Sequence, residues 1–79
     1  MPATKRDERV RVRMLEAAER EFARAGYRAA GLRAICRGAG VTLGMVRYYF
    51  GGKAGLYRAV VEAAHRRLED RAAAAAGGP

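Results

Sequence analysis

Seven basic side chains and no acidic one lie between Phe22 and Val61. The rest of the chain nearly balances its charges, with nine Lys or Arg against eight Asp or Glu, so this stretch carries most of the net charge of +8. A cationic field concentrated on one structural unit is typical of a protein that binds a polyanion. The side chains concerned are Arg24, Arg28, Arg33, Arg37, Arg47, Lys53 and Arg58.

The residue types that catalysis and metal binding require are scarce. The chain has no serine, and no Asp or Glu accompanies the basic centre, so we predict that the protein is not an enzyme and binds no cofactor. His65 is expected to have no second histidine, no cysteine and no nearby carboxylate at ligand spacing, and we predict no metal site. Cys36 is expected to be a small buried packing residue, although Arg33 and Arg37 nearby would favour a reactive thiolate.

Helical spacing of the apolar residues predicts the elements that position these charges. Helices are predicted over residues 7–25, 32–38, 42–49 and from 53 through 68, separated by Gly26 and by Gly51-Gly52. No strand alternation interrupts the pattern, so we predict an all-α fold, a short homeodomain-like bundle of about four helices. The residues expected in its core are Leu15, Phe22, Tyr27, Leu32, Ile35, Val41, Val46, Tyr49, Phe50, Leu56, Tyr57, Val60 and Val61.

The segment from Cys36 to Val46 has the features of a helix-turn-helix. Such a motif needs a small residue where its helices cross, a glycine at the turn and a branched apolar residue inside the second helix. Cys36, Gly40 and Val46 fill these places, and Thr42 is suited to cap the second helix. Together with the basic charge, the motif predicts double-stranded DNA as the partner.

The third helix is predicted to have an inner and an outer face. Val46, Tyr49 and Phe50 share one face at helical spacing and are expected to pack inward. A helix in the major groove would then present its outer face to base edges, namely Leu43, Gly44, Arg47 and Tyr48. Arg47 is suited to a bidentate contact with guanine.

At these residues the chain resembles the N-terminal DNA-binding domain of the TetR family of transcriptional repressors. The resemblance runs from about Met14 to Val61 and is carried by Leu15-Glu16-Ala17-Ala18, Phe22, Gly26-Tyr27, Ile35, Ala39-Gly40-Val41-Thr42, Gly44, Tyr49-Phe50, Lys53 and Leu56. It implies a recognition helix that begins at Thr42. The base contacts that it implies are Arg33, Leu43, Gly44 and Arg47, and the phosphate contacts are Met45, Tyr48, Tyr49 and Lys53. Thr42 also suits a phosphate at the rim of the groove.

Three positions depart from the family pattern. Ala30-Gly31 stands where a Thr-Thr or Thr-Ser pair usually caps the second helix and touches the DNA backbone. Arg47 stands where tyrosine is common, so its contact is expected to differ. Ala54 replaces the acid that usually follows the lysine and that favours the start of the fourth helix.

We expect three segments: a flexible basic arm over residues 1–8, the helix-turn-helix domain over 9–70 and an Ala/Gly-rich tail over 71–79. The family's C-terminal ligand-binding and dimerisation domain is expected to be absent from this chain, and with it any small-molecule effector site. The sequence leaves open whether the chain is a fragment or a short complete member.

The leading hypothesis is a sequence-specific TetR-type regulator, a repressor that binds a palindromic operator as a homodimer in the cytoplasm, associated with the nucleoid. The alternative is a helical protein-interaction module that docks a partner on the outer face of the fourth helix, around Val61. Membrane binding is disfavoured because no apolar run approaches the roughly 20 residues of a bilayer span. The first helix also carries Glu16, Glu19 and Glu21 among its arginines, which is typical of an ordinary solvated face.

Overall fold

The structure is a computed structural model, and it describes residues 4–77. Its helices are α1 (Lys5–Ala29), α2 (Leu32–Ala39), α3 (Leu43–Phe50) and α4 (Lys53–Ala76). No strand occurs within residues 4–77. The predicted all-α class and the predicted number of helices are confirmed.

α1 begins at Lys5, inside the segment that was expected to be a flexible arm. Thr4 caps it: the Thr4 hydroxyl accepts a hydrogen bond from the Asp7 amide at 3.1 Å, and the Asp7 carboxylate accepts one from the Thr4 amide at 3.2 Å. This reciprocal pair satisfies two backbone donors at the helix start. Residues 5–8 are therefore helical and not a flexible arm, while residues 1–3 of the predicted arm lie outside the described residues.

Two glycines with left-handed backbone conformations shape the ends of α1 and α2. Gly26 has φ +79° and interrupts α1 before a last turn that reaches Ala29. Gly40 has φ +70° at the end of α2, where the amide of Val41 donates to the Cys36 carbonyl at 3.0 Å. This hydrogen bond closes the tight turn of the helix-turn-helix, and the left-handed conformation strains any residue that has a Cβ. Both glycines were predicted to end helices or form turns.

The core contains one fully buried large side chain from each helix. These residues, each less than 2% exposed, are Met14, Ile35, Val46 and Leu56. α1 packs against α2 and α4, and α3 packs against the same two helices. Small buried residues on α1 and α2 fill the remaining space between the helices: Ala17, Ala18 and Ala39.

Two tyrosines that were expected in the core lie at its edge instead. Tyr27 and Tyr57 are each 39% exposed, and their ring centroids are 4.9 Å apart. Both rings pack on Phe22, with centroid distances of 5.8 Å and 5.1 Å. This arrangement buries part of each ring and leaves the remainder of each side chain exposed. Val61 is 47% exposed on α4, so the core prediction was also wrong for this residue.

α4 starts against the end of α3 and then runs away from the core. A Cβ at Gly55 would overlap the backbone oxygen of Phe50, so the two helices approach as closely as a glycine permits. Residues 65–77 are all exposed, and the helix continues through the alanine-rich segment to Ala76. Within residues 4–77, no helix has the length and apolar character needed to cross a membrane.

Candidate nucleic-acid interface

α3 presents two faces with opposite exposure. Val46 is fully buried, whereas Arg47 is exposed and Tyr48 is 83% exposed. Tyr49 and Phe50 pack against the core and are partly buried. Val46 on the inner face and Arg47 and Tyr48 on the outer face lie as predicted. Leu43, which was predicted on the outer face, is instead half-buried and packs against the core. The outer face is open to a macromolecular partner.

Thr42 caps the N-terminal turn of α3. Its hydroxyl accepts a hydrogen bond from the Met45 amide at 3.2 Å, as predicted for an N-cap residue. Leu43 is half-buried and Gly44 is exposed. A Cβ at Gly44 would lie 3.8 Å from the Thr42 hydroxyl oxygen, which is ordinary contact, so the fold does not require a glycine there. The bare backbone of Gly44 permits a ligand to approach closely.

Tyr49 is tied to α1 through Asp7. Its hydroxyl donates a hydrogen bond to Asp7 Oδ1 at 2.7 Å. This bond, assisted by the Thr4 amide, holds the pKa of Asp7 below its usual value. The same bond raises the pKa of the Tyr49 hydroxyl. A phosphate at Tyr49 would therefore compete with a carboxylate of the same molecule for this hydroxyl.

Lys53 is oriented at the start of α4 by two groups from the end of α1. Its Nζ donates to the Arg28 carbonyl oxygen at 3.3 Å and lies 4.8 Å from the centre of the Tyr27 ring. The carbonyl uses one of the three ammonium hydrogens, and the aromatic face attracts the positive charge. Lys53 is half-buried and retains two hydrogens for an external anion.

Arg33 and Met45 complete the set of predicted contact residues. Arg33 is exposed on α2 and makes no ion pair with the residues that the structure describes. Met45 packs partly against the core and lines an open cleft together with Tyr49. The predicted contact residues therefore lie on α2, on α3 with its N-cap, and at the first residue of α4.

The surface of α2 and α3 is basic, and its positive charges are not paired with acidic side chains in the described part of the chain. Asp and Glu are missing from the sequence between Phe22 and Val61, and no residue of these two helices takes part in an ion pair within residues 4–77. The exposed cations on the two helices are Arg33, Arg37 and Arg47. Their positive potential remains available to a polyanion.

A family model described as bacterial regulatory proteins, tetR family, matches residues 14–60. The chain belongs to the tetR family. The matched segment includes most of α1, all of α2 and α3 and the first third of α4. The protein is therefore a DNA-binding regulator of transcription whose helix-turn-helix is formed by α2 and α3. No curated protein and no solved structure matches the chain.

At the Ala30-Gly31 departure of this tetR-family chain, Glu21 binds the backbone amide of the N-cap residue, which is not the N2 or N3 amide that a Thr side chain would cap. Gly31 is the N-cap of α2 and offers no side-chain hydrogen bond. Glu21 Oε2 accepts a hydrogen bond from the Gly31 amide at 3.0 Å, and Glu21 Oε1 accepts one from Arg24 at 2.9 Å. These bonds, the one from Gly31 foremost, lower the pKa of Glu21.

Glu21 is buried and was wrongly predicted to belong to a solvated face. Its backbone partner, Gly31, lies ten residues further along the chain, beyond the turn at Gly26. Helical spacing reveals partners within one helix only, so it gave no signal for this contact.

Two arginines of α1 were also missed by the sequence analysis. Arg11 Nη1 donates to the Tyr49 carbonyl oxygen at 3.4 Å, and its guanidinium lies 4.8 Å from the centre of the Phe50 ring. Arg13 Nε donates to the Ala39 carbonyl oxygen at 3.2 Å. Each arginine places a positive charge at the C-terminal end of a neighbouring helix, where the helix dipole favours it. α1 thereby holds both helices of the helix-turn-helix in position.

The remaining candidates for chemistry are separate from this interface. Cys36 is buried, as expected for a packing residue. His65 Nε2 lies 3.9 Å from Glu69 Oε1 on the exposed part of α4, a neighbour that the sequence analysis overlooked. Within residues 4–77, no three His, Cys, Asp or Glu side chains are grouped to hold a metal ion.

Proposed function

We propose that this tetR-family protein is a sequence-specific transcriptional repressor that inserts α3 into the major groove of its operator. The observation that carries the proposal is the division of α3 into a buried side at Val46 and an exposed side at Arg47 and Tyr48. A groove-bound helix reads bases with the residues that face away from its own core. The proposed base-reading residues are Arg33, Leu43, Gly44 and Arg47.

The residues around this face are proposed to hold the DNA backbone. Thr42, Met45, Tyr48, Tyr49 and Lys53 would contact phosphates, with Lys53 oriented for this role by the Arg28 carbonyl and the Tyr27 ring. Phosphate contacts fix the register of the protein on the duplex and carry no sequence information of their own. Base discrimination would then depend mainly on Arg47 and its neighbours on α3.

The short length of α3 supports a palindromic operator bound by a homodimer. A helix of 8 residues is about 12 Å long, at 1.5 Å per residue. That length spans about four base pairs at roughly 3.4 Å each, which is too few to define one site in a chromosome. Two copies related by two-fold symmetry would read two such half-sites about one helical turn apart.

A selection from a random duplex library with the purified full chain tests this function. We expect an enriched palindrome that binds two chains and a steep loss of affinity with salt. At about −0.9 per phosphate, roughly 4–6 contacts per domain would give a slope of log affinity against log salt of about −3.6 to −5.4 for each bound chain. Equal affinity for the enriched duplex and a scrambled one would contradict sequence-specific binding.

Repression requires that the occupied operator overlap a promoter. Because the operator would be chromosomal, we place the protein at the nucleoid in the cytoplasm. A reporter gene downstream of the enriched palindrome is expected to be silenced by the wild-type chain and restored by Arg47→Ala. Unchanged or increased expression with the wild-type chain would contradict the repressor role.

The alternative function, a helical interaction module, is supported by apolar side chains on the outer face of α4. Val61 is 47% exposed and Leu68, one heptad further on, is 62% exposed. A partner helix placed along this side would bury both residues. Sedimentation that shows a monomer at micromolar concentration, unchanged by Val61→Glu, would contradict docking of a second copy on this face.

A further inference from the structure

A second basic surface lies on the first turns of α1, outside the segment that matches the family model. Three of its arginines line one open cleft of about 360 Å³ together with two residues of α3. The cleft is lined by Arg6, Arg9 and Arg13 of α1 and by Met45 and Tyr49 of α3, with Asp7 and Val10 between them. The basic side of α1 and the flank of α3 therefore form one continuous surface.

The arginines of this cleft are available to bind an anion. Arg6 and Arg9 are exposed and form no ion pair among the residues that the structure describes. Arg13 is exposed as well, and its bond to the Ala39 carbonyl uses only Nε, which leaves the two terminal nitrogens. Residues 5–13 contain five basic and two acidic side chains and so carry a net charge of +3.

The two acids of this segment do not cancel its charge. Asp7 lies within the cleft, but its carboxylate already accepts hydrogen bonds from the Tyr49 hydroxyl and from the amide and hydroxyl of Thr4. Glu8 borders a neighbouring cleft with Lys5 and Val12, which Arg9 and Arg13 also line, and it forms no ion pair within residues 4–77. The side chains that line the cleft, three arginines and one carboxylate, still carry a net charge of +2 that favours an external anion.

We propose that Arg6, Arg9 and Arg13 form an additional binding site for phosphates of the DNA backbone, beside the groove that α3 occupies. The proposal rests on the proposed function, because a duplex bound by α3 places a sugar-phosphate strand next to Met45 and Tyr49. Arg6 and Arg13 are separated by about 10 Å along the helix, at 1.5 Å per residue. Neighbouring phosphates of one strand are separated by a rise of about 3.4 Å along the duplex axis, so a surface of this length can contact more than one of them.

Contacts of this kind add affinity for any duplex and do not select a sequence. Their removal lowers the affinity for all duplexes alike and makes the salt dependence shallower. Loss of base-reading residues has a different effect, because it alters the preference among duplexes. The two kinds of contact are therefore separable by experiment.

The test measures the affinity of the full chain for a mixed-sequence duplex over a range of salt concentrations. The test variant is Arg6→Gln/Arg9→Gln. The control is Arg66→Gln/Arg71→Gln, which removes the same charge from exposed positions on the distal part of α4. We expect the test variant to make the slope of log affinity against log salt shallower by about 1.8, as the loss of two phosphate contacts requires. The control is expected to keep the wild-type slope, and circular dichroism is expected to show equal helix content for all three proteins.

Three results would overturn the proposal, and they are distinguishable. Equal changes of slope in both double variants would mean that only the net charge matters. A wild-type slope in the test variant, from a wild-type chain that binds the duplex, would remove the α1 site and leave the proposed function intact. A wild-type chain that binds no duplex at any salt concentration would remove the proposed function as well.

Discussion

The hydroxyl of Tyr49 on α3 donates a 2.7 Å hydrogen bond to the carboxylate of Asp7 on α1. The same two helices are also joined by Arg11, which donates to the carbonyl oxygen of Tyr49 and covers the Phe50 ring. The end of α3 is thus positioned by side chains that precede the segment shared with the family. The orientation of this helix depends on the first two turns of α1.

The Asp7–Tyr49 hydrogen bond should make wild type more stable than Tyr49→Phe, and this difference in the free energy of unfolding should depend on pH. The pKa of Asp7 is lowered below 3.8 by this bond, so its stabilisation is present above that pH and is lost as the pH falls through the folded-state value. The pKa of Tyr49 is raised above 10.0, so the stabilisation is present below that pH and is lost as the pH rises through the folded-state value. Tyr49→Phe should therefore be less stable than wild type at neutral pH, and the difference should shrink at both extremes.

Urea denaturation of wild type and Tyr49→Phe across this pH range measures the effect. Tyr48→Phe is the matched control, because Tyr48 is 83% exposed and, within residues 4–77, donates no hydrogen bond to an acid. A Tyr49→Phe variant with the wild-type urea midpoint at neutral pH would show that the bond contributes nothing to stability.

Glu21→Gln should lower the urea midpoint at neutral pH. The amide keeps the shape but weakens the bonds to the Gly31 amide and to Arg24, because both bonds draw on the negative charge. The pKa of Glu21 is lowered from 4.5, foremost by the bond from the Gly31 amide, so the wild-type advantage should be present above pH 4.5 and be lost as the pH falls through the lower folded-state pKa. Glu16→Gln, at an exposed position on the same helix, is the control and should keep the wild-type midpoint. Identical midpoints for the two variants at neutral pH would contradict a stabilising role for the bonds of Glu21 to Gly31 and Arg24.

Gly55→Ala should destabilise the fold by about 1–3 kcal/mol, as expected for overpacking against rigid atoms. The added methyl group would overlap the backbone oxygen of Phe50, which cannot move without displacing the end of α3. Gly44→Ala is the comparison, because a methyl group there has ordinary contact distances. It should leave the fold intact, and stabilise α3 by up to about 1 kcal/mol, while it weakens DNA binding. Chemical denaturation and duplex binding of the two variants separate these effects, and equal stabilities would refute the close approach at Gly55.

Gly40→Ala should cost about 1–2 kcal/mol of stability, and Gly40→Val should cost more. No atom lies within 4 Å of the position that a Cβ would take, so the cost comes from the backbone conformation at φ +70° alone. Gly38→Ala provides the control in the same helix, where a Cβ would lie 3.4 Å from the Ala17 Cβ and the backbone is helical. That substitution should raise the stability by about 0.5–1 kcal/mol. A fully helical Gly40→Val protein with wild-type stability would rule out this turn geometry.

Arg47→Ala and Lys53→Ala should affect DNA binding in different ways. Arg47→Ala should reduce discrimination at one base position by about 1–3 kcal/mol, because a bidentate guanine contact is lost. Lys53→Ala should weaken binding to all duplexes by a similar factor and reduce the salt slope by about 0.9. Affinities for the selected operator and its single-base variants distinguish the two patterns. The reverse pattern would mean that the base-reading and phosphate-binding roles are exchanged.

The parts of the fold that depend on local chemistry were predictable from the sequence. Gly26 and Gly40 mark the ends of helices through their backbone freedom, and Thr42 marks the start of α3 through its hydroxyl. The division of α3 followed from the 3.6-residue period, which placed Val46 inside and Arg47 outside. The start of α1 was available in the same way, since Thr4 and Asp7 have the spacing of a capping box, but the surrounding basic residues obscured it.

The contacts between helices were not predictable. Glu21, Arg11 and Arg13 look alike in the sequence to the other charged residues of α1, yet each binds a backbone group of another element. These contacts depend on how the helices pack against one another. The spacing of residues along a single helix does not determine that packing. The residues of the candidate site on α3 were therefore predictable from the sequence. The α1 side chains that fix the orientation of α2 and α3 were identified only from the structure.

Each of the four helices contributes one large, fully buried side chain to the core. The helix-turn-helix of α2 and α3 therefore has no separate hydrophobic core. A peptide containing only α2 and α3 would bring Ile35 and Val46 to the interface but leave both facing water on the sides where Met14 and Leu56 belong. Less apolar surface would be buried, while the entropy cost of ordering the turn would stay the same. DNA recognition by this protein therefore depends on all four helices. Substitutions that destabilise α1 or α4 should weaken DNA binding by α3, although they lie away from the DNA-contacting surface.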